Sequence, residues 1–496
     1  MRKIIFILIG VLISTTSISQ DRNSIWIFGD SAGIDFRNVN NPTPIFSGMD
    51  GRGSSVSISD SIGNLQFYAY SNMSYALTTI YDATHDTMLN SQLIQGDGTY
   101  NELVIIPKPN SPNLYFLFNK GAVGFIDTLY YSLIDMNLNG GLGQVVEKNR
   151  SIDAYRVADC VTAVKHGNGR DWWLITKLAS NPMTTFNRFY VYLITPDSIY
   201  SPIIQDFNNA KDVDLQKIAW HPSYDKFMLV NLRGLMAEYN FDRCNGSITL
   251  DRIIFNEQVG ARAFWDASYS PNGNLFYVDI TAINSGDQNY LLQYDLTAGN
   301  IPASCDTLDS TLYPQASAGA LRLAPDGKIY YSQCYIPIGI GINYPYADSM
   351  RSYINENLGV INNPDVMGNG CNFTPFSFYL GGKRTYWGLP NNPDYSLGPL
   401  TGSSCDTLDV STNDLTDNEI LIFPNPVVNR CRVKYIFGNI KSLAVYNLLG
   451  EKVYEKINQA NNVEIDLNLI LLDRGLYNMQ IQTNNGMISK NLIRLD

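Results

Sequence analysis

Histidine is scarce in this chain: three residues among 496, at positions 85, 166 and 221. Two of them sit in turn-like strings, His166 in "HGNG" and His221 in "HPSYD". That leaves few candidates for imidazole-based acid–base chemistry. The seven cysteines (160, 244, 305, 334, 371, 405 and 431) are scattered without a C-x-x-C pair, which argues against a clustered metal site. Their odd number leaves at least one unpaired after any oxidation, and spacing alone does not give connectivity. Basic residues are outnumbered, 35 Lys and Arg against 46 Asp and Glu, for a net charge of −11. Nucleic acid demands a basic footprint, so it is excluded as a partner. Beyond the first residues no apolar run is long enough to span a bilayer.

The apolar run that does exist is the leader. Met1-Arg2-Lys3 precedes "IIFILIGVLI", and Ser17 and Ser19 are spaced as the small residues of a signal-peptidase site. Residues 1–19 are therefore expected to be a secretory signal, and the mature protein is expected to be exported.

Aromatic content is 12%, with 32 tyrosines, while charged residues make up only 16%. Rings pack well on pleated surfaces, so this composition favours strands. The length suits one large all-β domain followed by a smaller one. A unit of apolar lead-in, tight turn and strand recurs at "SDSIGNLQFYAY" (59–70), "PKPNSPNLYFLF" (107–118), "VKHGNGRDWWLIT" (164–176), "WHPSYDKFMLVN" (220–231), "YSPNGNLFYVDI" (269–280) and "LAPDGKIYYSQC" (323–334). A second hairpin commonly follows, as at 129–146, 235–250 and 290–301. Two hairpins per unit make a four-stranded sheet, and such sheets packed radially make a β-propeller. Six units are readable. "GCNFTPFSFYLGG" (370–382) reads as the start of a seventh, and the strand at 25–36 reads as the one that closes it. The expected propeller spans 20–390, with about seven blades.

Motifs that could carry chemistry are few. Gly29-Asp30-Ser31-Ala32-Gly33 spells the G-x-S-x-G of a nucleophile elbow, but Ser31 follows directly on the leader and precedes a Pro- and Asn-rich stretch that opposes the required helix. A closing strand and turn explain it better, and no catalytic residue is assigned. "DMNLNGG", beginning at Asp135, resembles the start of a Ca²⁺ loop, but position twelve is Val146 and Glu147 comes one residue late. A hairpin turn explains it better. Glu102, Asp159 and Arg262 each stand just before an expected inner strand and are the candidate ligand-binding residues at the channel mouth. Trp172 and Trp173 fall on opposite faces of one strand, where blade packing is the default role. No cofactor and no metal site is expected.

After 390 the composition turns rich in Pro, Gly, Ser, Asn and Asp, and 391–417 reads as a linker. Short strands resume over 418–496, the pattern of a small antiparallel β-sandwich. "FPNPVVN" (423–429), "VYNLLGEKV" (445–453), "RGLYNMQIQ" (474–482) and "SKNLIRL" (489–495) resemble, in order and spacing, the type A sorting domain of the Bacteroidetes type IX secretion system. Pro424, Asn425, Pro426, Gly450, Gly475, Tyr477 and Lys490 carry that likeness. The resemblance implies transit through the periplasm and across the outer membrane by the type IX machinery. It also implies removal of the domain by the system's sortase, then attachment to surface lipopolysaccharide or release. "WIFGDSAGIDF", "TAVKHGNGRDWW", "YSPNGNLFY" and "LGPLTGSSCDTL" resemble large Bacteroidetes surface proteins that place a propeller ahead of such a domain, a likeness that supplies no ligand. The expected function is a non-catalytic binding or structural module at the cell surface, with an unknown glycan or protein ligand. The alternative is a propeller enzyme acting on glycans, which requires paired carboxylates in one channel mouth. A peptide- or protein-binding scaffold with an exposed apolar face is a third class.

Overall fold

The computed structural model describes residues 21–495, apart from 52, 73–74, 124–125, 153–154, 180–186, 209–214, 257–262, 283–285, 314–315, 336–349, 407–419, 436–438, 448–450, 459–461 and 484–486. The leader, Arg262 and Gly450 lie outside the described residues. The chain divides into two compact units, 1–406 and 407–496.

In the first unit every recurrent sequence unit is an antiparallel four-stranded sheet, and the sheets follow one another along the chain at 55–95, 103–151, 162–207, 216–256, 264–312 and 321–379. These are blades 1 to 6. Within each, the first strand is the innermost. Ser55–Ser59 is buried throughout, and Leu103–Pro107 nearly so, because both of their faces are covered by neighbouring blades. The fourth strand is the outer rim, and Phe373–Tyr379 shows the corresponding alternation of half-buried and exposed residues. The turns joining first to second strands use the expected chemistry: Gly273 of "PNG" and Gly327 of "PDG" have φ of +75° and +76°.

The apolar core is a series of wedges between blades rather than one central mass. Val56, Ile105 and Trp172 belong to a wedge shared by blades 1 to 3, Val164 and Leu229 to the next, then Met228 and Phe276, then Tyr277 and Tyr331. The series closes on itself. Trp26, Phe36 and Met49 pack with Tyr330 and Val360 of blade 6 and with Tyr68 of blade 1. Closure is what removes the open strand edges of such a sheet assembly.

The closing blade departs from the sequence reading in two respects. The string at 370–382 does not begin a seventh blade. Its strand Phe373–Tyr379 pairs with Asn357–Ile361 and is the rim of blade 6. Blade 7 instead takes three strands from the N-terminus, Ile25–Phe28, Asp30–Asp35 and Thr43–Asp50. Its innermost position is filled by the chain that follows blade 6. Asp30 bridges Arg384 through backbone hydrogen bonds, and farther along Asn392 reaches Asn23, so 384–392 runs antiparallel to the first strand. Two glycines permit the approach: a Cβ on Gly29 would lie 2.4 Å from the Arg384 carbonyl, and one on Gly388 would lie 1.7 Å from that of Gly53.

A second correction concerns the expected linker. Residues 391–406 belong to the first unit. Asn391 donates to the carbonyls of Leu103 and Val161, Tyr395 to that of Ile105, and Leu400 N–H to that of Gly167. Cys405 is disulfide-bonded to Cys244 of blade 4. The polar composition that reads as a linker is the means by which this irregular backbone bonds to the propeller.

The second unit is a sandwich of two antiparallel sheets. One holds Ile420–Phe423, Arg430–Tyr435 and Glu464–Asn468; the other holds Lys452–Ile457, Ile440–Tyr446, Gly475–Thr483 and Met487–Arg494. Val433, Ile465 and Leu467 from one face meet Leu443, Val445, Met479 and Ile481 from the other.

Candidate binding site at the channel mouth

The inner strands begin at one end of the central channel, and two polar clusters occupy that end. The first contains two of the three residues expected there. Glu102 and Asp159, just before the inner strands of blades 2 and 3, meet Asp97 so that one oxygen from each lies within 4.8 Å of the others. Lys120, on the second strand of blade 2, points its ammonium into this trio, 2.6 Å from Asp97 and 2.7 Å from Asp159. Burial opposes the charge on Lys120, but Asp159 and Asp97 outweigh it and its pKa is raised. Glu102 Oε1 accepts the Gly98 N–H at 2.6 Å, while Oε2 has no partner among the described residues. Burial, reinforced by Asp159 and Asp97, pushes the Glu102 carboxyl up to about 8. Three oxygens at this spacing would suit a hard divalent ion. Lys120 already supplies the positive charge at their centre.

The second cluster was not legible as a site. Arg322, on the inner strand of blade 6, donates 2.6 Å to Asp266 of blade 5, 2.7 Å to the Asn101 side-chain oxygen of blade 2 and 3.2 Å to the Pro390 carbonyl of the closing chain. Tyr100 donates to the same Asp266 carboxylate. Behind them Asp279 accepts the backbone N–H groups of Asp266 and Gly319; burial first, then Asp266, raises its pKa well above the usual carboxylate range. Lys217, on the inner strand of blade 4, is 7% exposed. Burial, with Arg322 adding repulsion, lowers its ammonium to about 7. Four blades and the closing chain thus converge on one point.

The other end of the channel is crossed by the closing chain. Arg243 donates to the carbonyls of Lys165 and Gly398 at 2.8 and 2.6 Å, and Tyr395 packs edge-on against Trp172 with ring centroids 6.1 Å apart. With the Cys244–Cys405 bond beyond it, this stretch covers that end from blades 2 to 4.

The remaining sequence candidates have local roles. Ser31 lies at the start of the strand Asp30–Asp35, just after the tight turn at Gly29, at φ +60°, its hydroxyl 3.2 Å from Asp30. No histidine contacts it: His85 bonds Tyr68, His166 the Cys244 carbonyl, and His221 its own turn's Ser223. Asp135 accepts the backbone N–H of Asn137 within the hairpin to the rim strand Gln144–Ser151. Trp172 and Trp173 are 2% and 3% exposed, and the Trp173 indole donates to the Arg243 carbonyl. In the second unit, Asn425, flanked by Pro424 and Pro426, donates to the Asn491 carbonyl and accepts from the Ile493 N–H, tying the motif to the final strand. Gly475 opens the strand that carries Tyr477, whose hydroxyl donates to the Asp473 carbonyl at 2.8 Å. Lys490 pairs across the sheet with Met479.

Residues 421–494 match the family described as the secretion system C-terminal sorting domain. The chain is therefore a β-propeller protein that carries a Bacteroidetes type IX sorting domain. That domain directs export by the type IX system to the cell surface or extracellular space. No curated protein matches the chain. Solved structures similar to it include a Bacteroides uniformis protein proposed to be a 6-phosphogluconolactonase (14% identity, 63% of this chain and 89% of that one, TM-score 0.39). Also similar are the periplasmic gluconolactonase PpgL of Pseudomonas aeruginosa (10%, 79% and 94%, 0.36) and the Cps50 (Swd1) propeller domain of Myceliophteria thermophila (11%, 70% and 91%, 0.35).

Proposed function

We propose that the propeller is a non-catalytic binding or structural module, displayed on the cell surface or released into the medium. One observation carries this reading. Glu102 and Asp159, the paired carboxylates nearest the channel mouth, are 0% and 1% exposed, and an ammonium stands against Asp159. Glycoside cleavage needs an acid and a base or nucleophile on either side of a sugar bond. A pair buried around a lysine leaves no room for the sugar. In this reading the sortase of the type IX machinery removes the second unit, and the propeller is then attached to surface lipopolysaccharide or set free.

The glycan-cleaving alternative is tested by assaying the purified propeller against acidic and neutral polysaccharides beside Glu102→Gln and Asp159→Asn. The expected result is no turnover by any of the three. Turnover by the wild type that either variant abolishes would replace the binding reading with an enzymatic one.

A further inference from the structure

Near the channel mouth two buried side-chain donors have no acceptor among the described residues, and Lys217 stands beside them against the Arg322–Asp266 pair. Among the described residues no hydrogen bond or ion pair reaches the Lys217 ammonium. The Asn101 side-chain amide has its oxygen engaged by Arg322, but its nitrogen is buried without a partner. The Trp265 indole N–H is likewise buried and has no partner among the described residues. These residues stand at the beginnings of the inner strands of blades 2, 4 and 5, around the Arg322–Asp266 pair. A buried donor left unmade is costly, so two of them beside the Arg322–Asp266 pair, with Lys217 facing the same pair, indicate an acceptor that completes them.

The neighbouring charges define its valence. Arg322 is balanced by Asp266, and Asp266 already accepts from Tyr100, Arg322 and the Ala267 N–H. Burial, then Asp266, raises the Asp279 pKa well above the usual carboxylate range. The Asp97, Asp159 and Lys120 group is closed on itself. Lys217 is the remaining basic side chain of this cluster with no ion pair among the described residues, and it is faced by Arg322, Asp266 and Cys160. One positive charge calls for one negative charge. Two oxygens carrying it would supply enough lone pairs for an ammonium, an indole N–H and an amide. Beside them, Trp265 lies 5.1 Å from Tyr100 and 6.5 Å from Trp387, ring to ring, an apolar wall for an organic remainder.

We propose that the channel mouth binds the carboxylate of a small monoanionic organic acid through Lys217, Trp265 and Asn101. This rests on reading the propeller as a binding module and names its ligand class. Because burial holds the Lys217 amine near neutrality, an arriving anion should draw a proton onto it.

The test is calorimetric titration of the mature propeller with acetate and D-glucuronate, with D-glucose and inorganic phosphate as neutral and dianionic comparisons. Binding of glucuronate is expected, with proton uptake at pH 8 read from buffers of different ionisation heat. Lys217→Met should weaken it at least tenfold and abolish the uptake, and Lys217→Arg should restore part of the affinity without uptake. Trp265→Phe, which removes the indole N–H and keeps an apolar ring, should weaken it several-fold. Absence of carboxylate binding by the wild type, preference for phosphate, or unchanged affinity in Lys217→Met with native circular dichroism would each overturn the proposal. If carboxylates fail but a neutral glycan binds, the ligand class falls while the binding-module reading stands.

Discussion

Arg384 donates to the carboxylate of Asp30 at 2.7 Å, across a sequence separation of 354 residues. The contact ties the beginning of the propeller to the chain leaving its last full blade, where backbone hydrogen bonds join the same two residues. Arg384 is 3% exposed on its side chain and Asp30 18%. Arg384→Ala strips a half-buried carboxylate of its cation, for an expected loss of about 2–3 kcal/mol. Gly388→Ala should cost at least as much, because its Cβ would collide with the Gly53 backbone. Thermal denaturation of the mature propeller checks both. Unchanged midpoints in both variants would show that the ring is not closed by this segment.

The disulfide fastens the same segment farther along. Reduction, or Cys405→Ser, should destabilise the propeller by about 2–4 kcal/mol. The reductant should have no further effect on the variant, because Cys244–Cys405 is the one disulfide among the described residues. A midpoint insensitive to reductant in the wild type would contradict the pairing.

Glu102 makes stability depend on pH in a definite direction. Its carboxyl titrates higher in the folded chain than in the unfolded one, so its contribution is full at low pH and is lost as pH rises from the ordinary carboxylate range through about 8. Glu102→Gln cannot ionise. Relative to wild type it should gain stability steadily between pH 5 and 8, measured by denaturant unfolding. A constant difference across that range would mean that the carboxyl is not held neutral.

Lys120 serves as the resident cation of its carboxylate trio. Its removal leaves Asp97 and Asp159 facing one another, and Lys120→Ala should lose about 3 kcal/mol or more. Calcium should then restore part of the loss, raising the midpoint of the variant and leaving that of the wild type unmoved. A wild-type propeller stabilised by calcium would show that the ion and the lysine do not compete.

The sequence reveals the blades because each turn between first and second strands repeats a local chemistry, as in "PNG" and "PDG". It reveals the sandwich core through the alternation of Val433, Leu443 and Val445 with polar neighbours. It conceals the closing strand, because 384–392 carries Gly388, Pro390 and two asparagines and lacks strand periodicity. Glu102 and Asp159 are noticeable as polar residues ahead of apolar strands. Their partner Lys120 sits in a strand whose side chains read as ordinary alternation. Arg322, Lys217 and Asn101 come from different blades and meet only when the ring closes, so no local spacing could bring them together.

The measurement that bears most directly on an exported propeller with a removable sorting domain is the intact mass of the mature protein from a bacterium with the type IX machinery. Residues through Asp406 are bonded into the first unit and those from Ile420 into the second, so the cut is expected between them. The protein should appear on the surface or in the medium, ending after Cys405 and before Ile420, with Cys405 still joined to Cys244. A chain lacking 420–496 should remain in the periplasm. Export of that truncated chain, or a mature exported form that still carries Asp496, would contradict it.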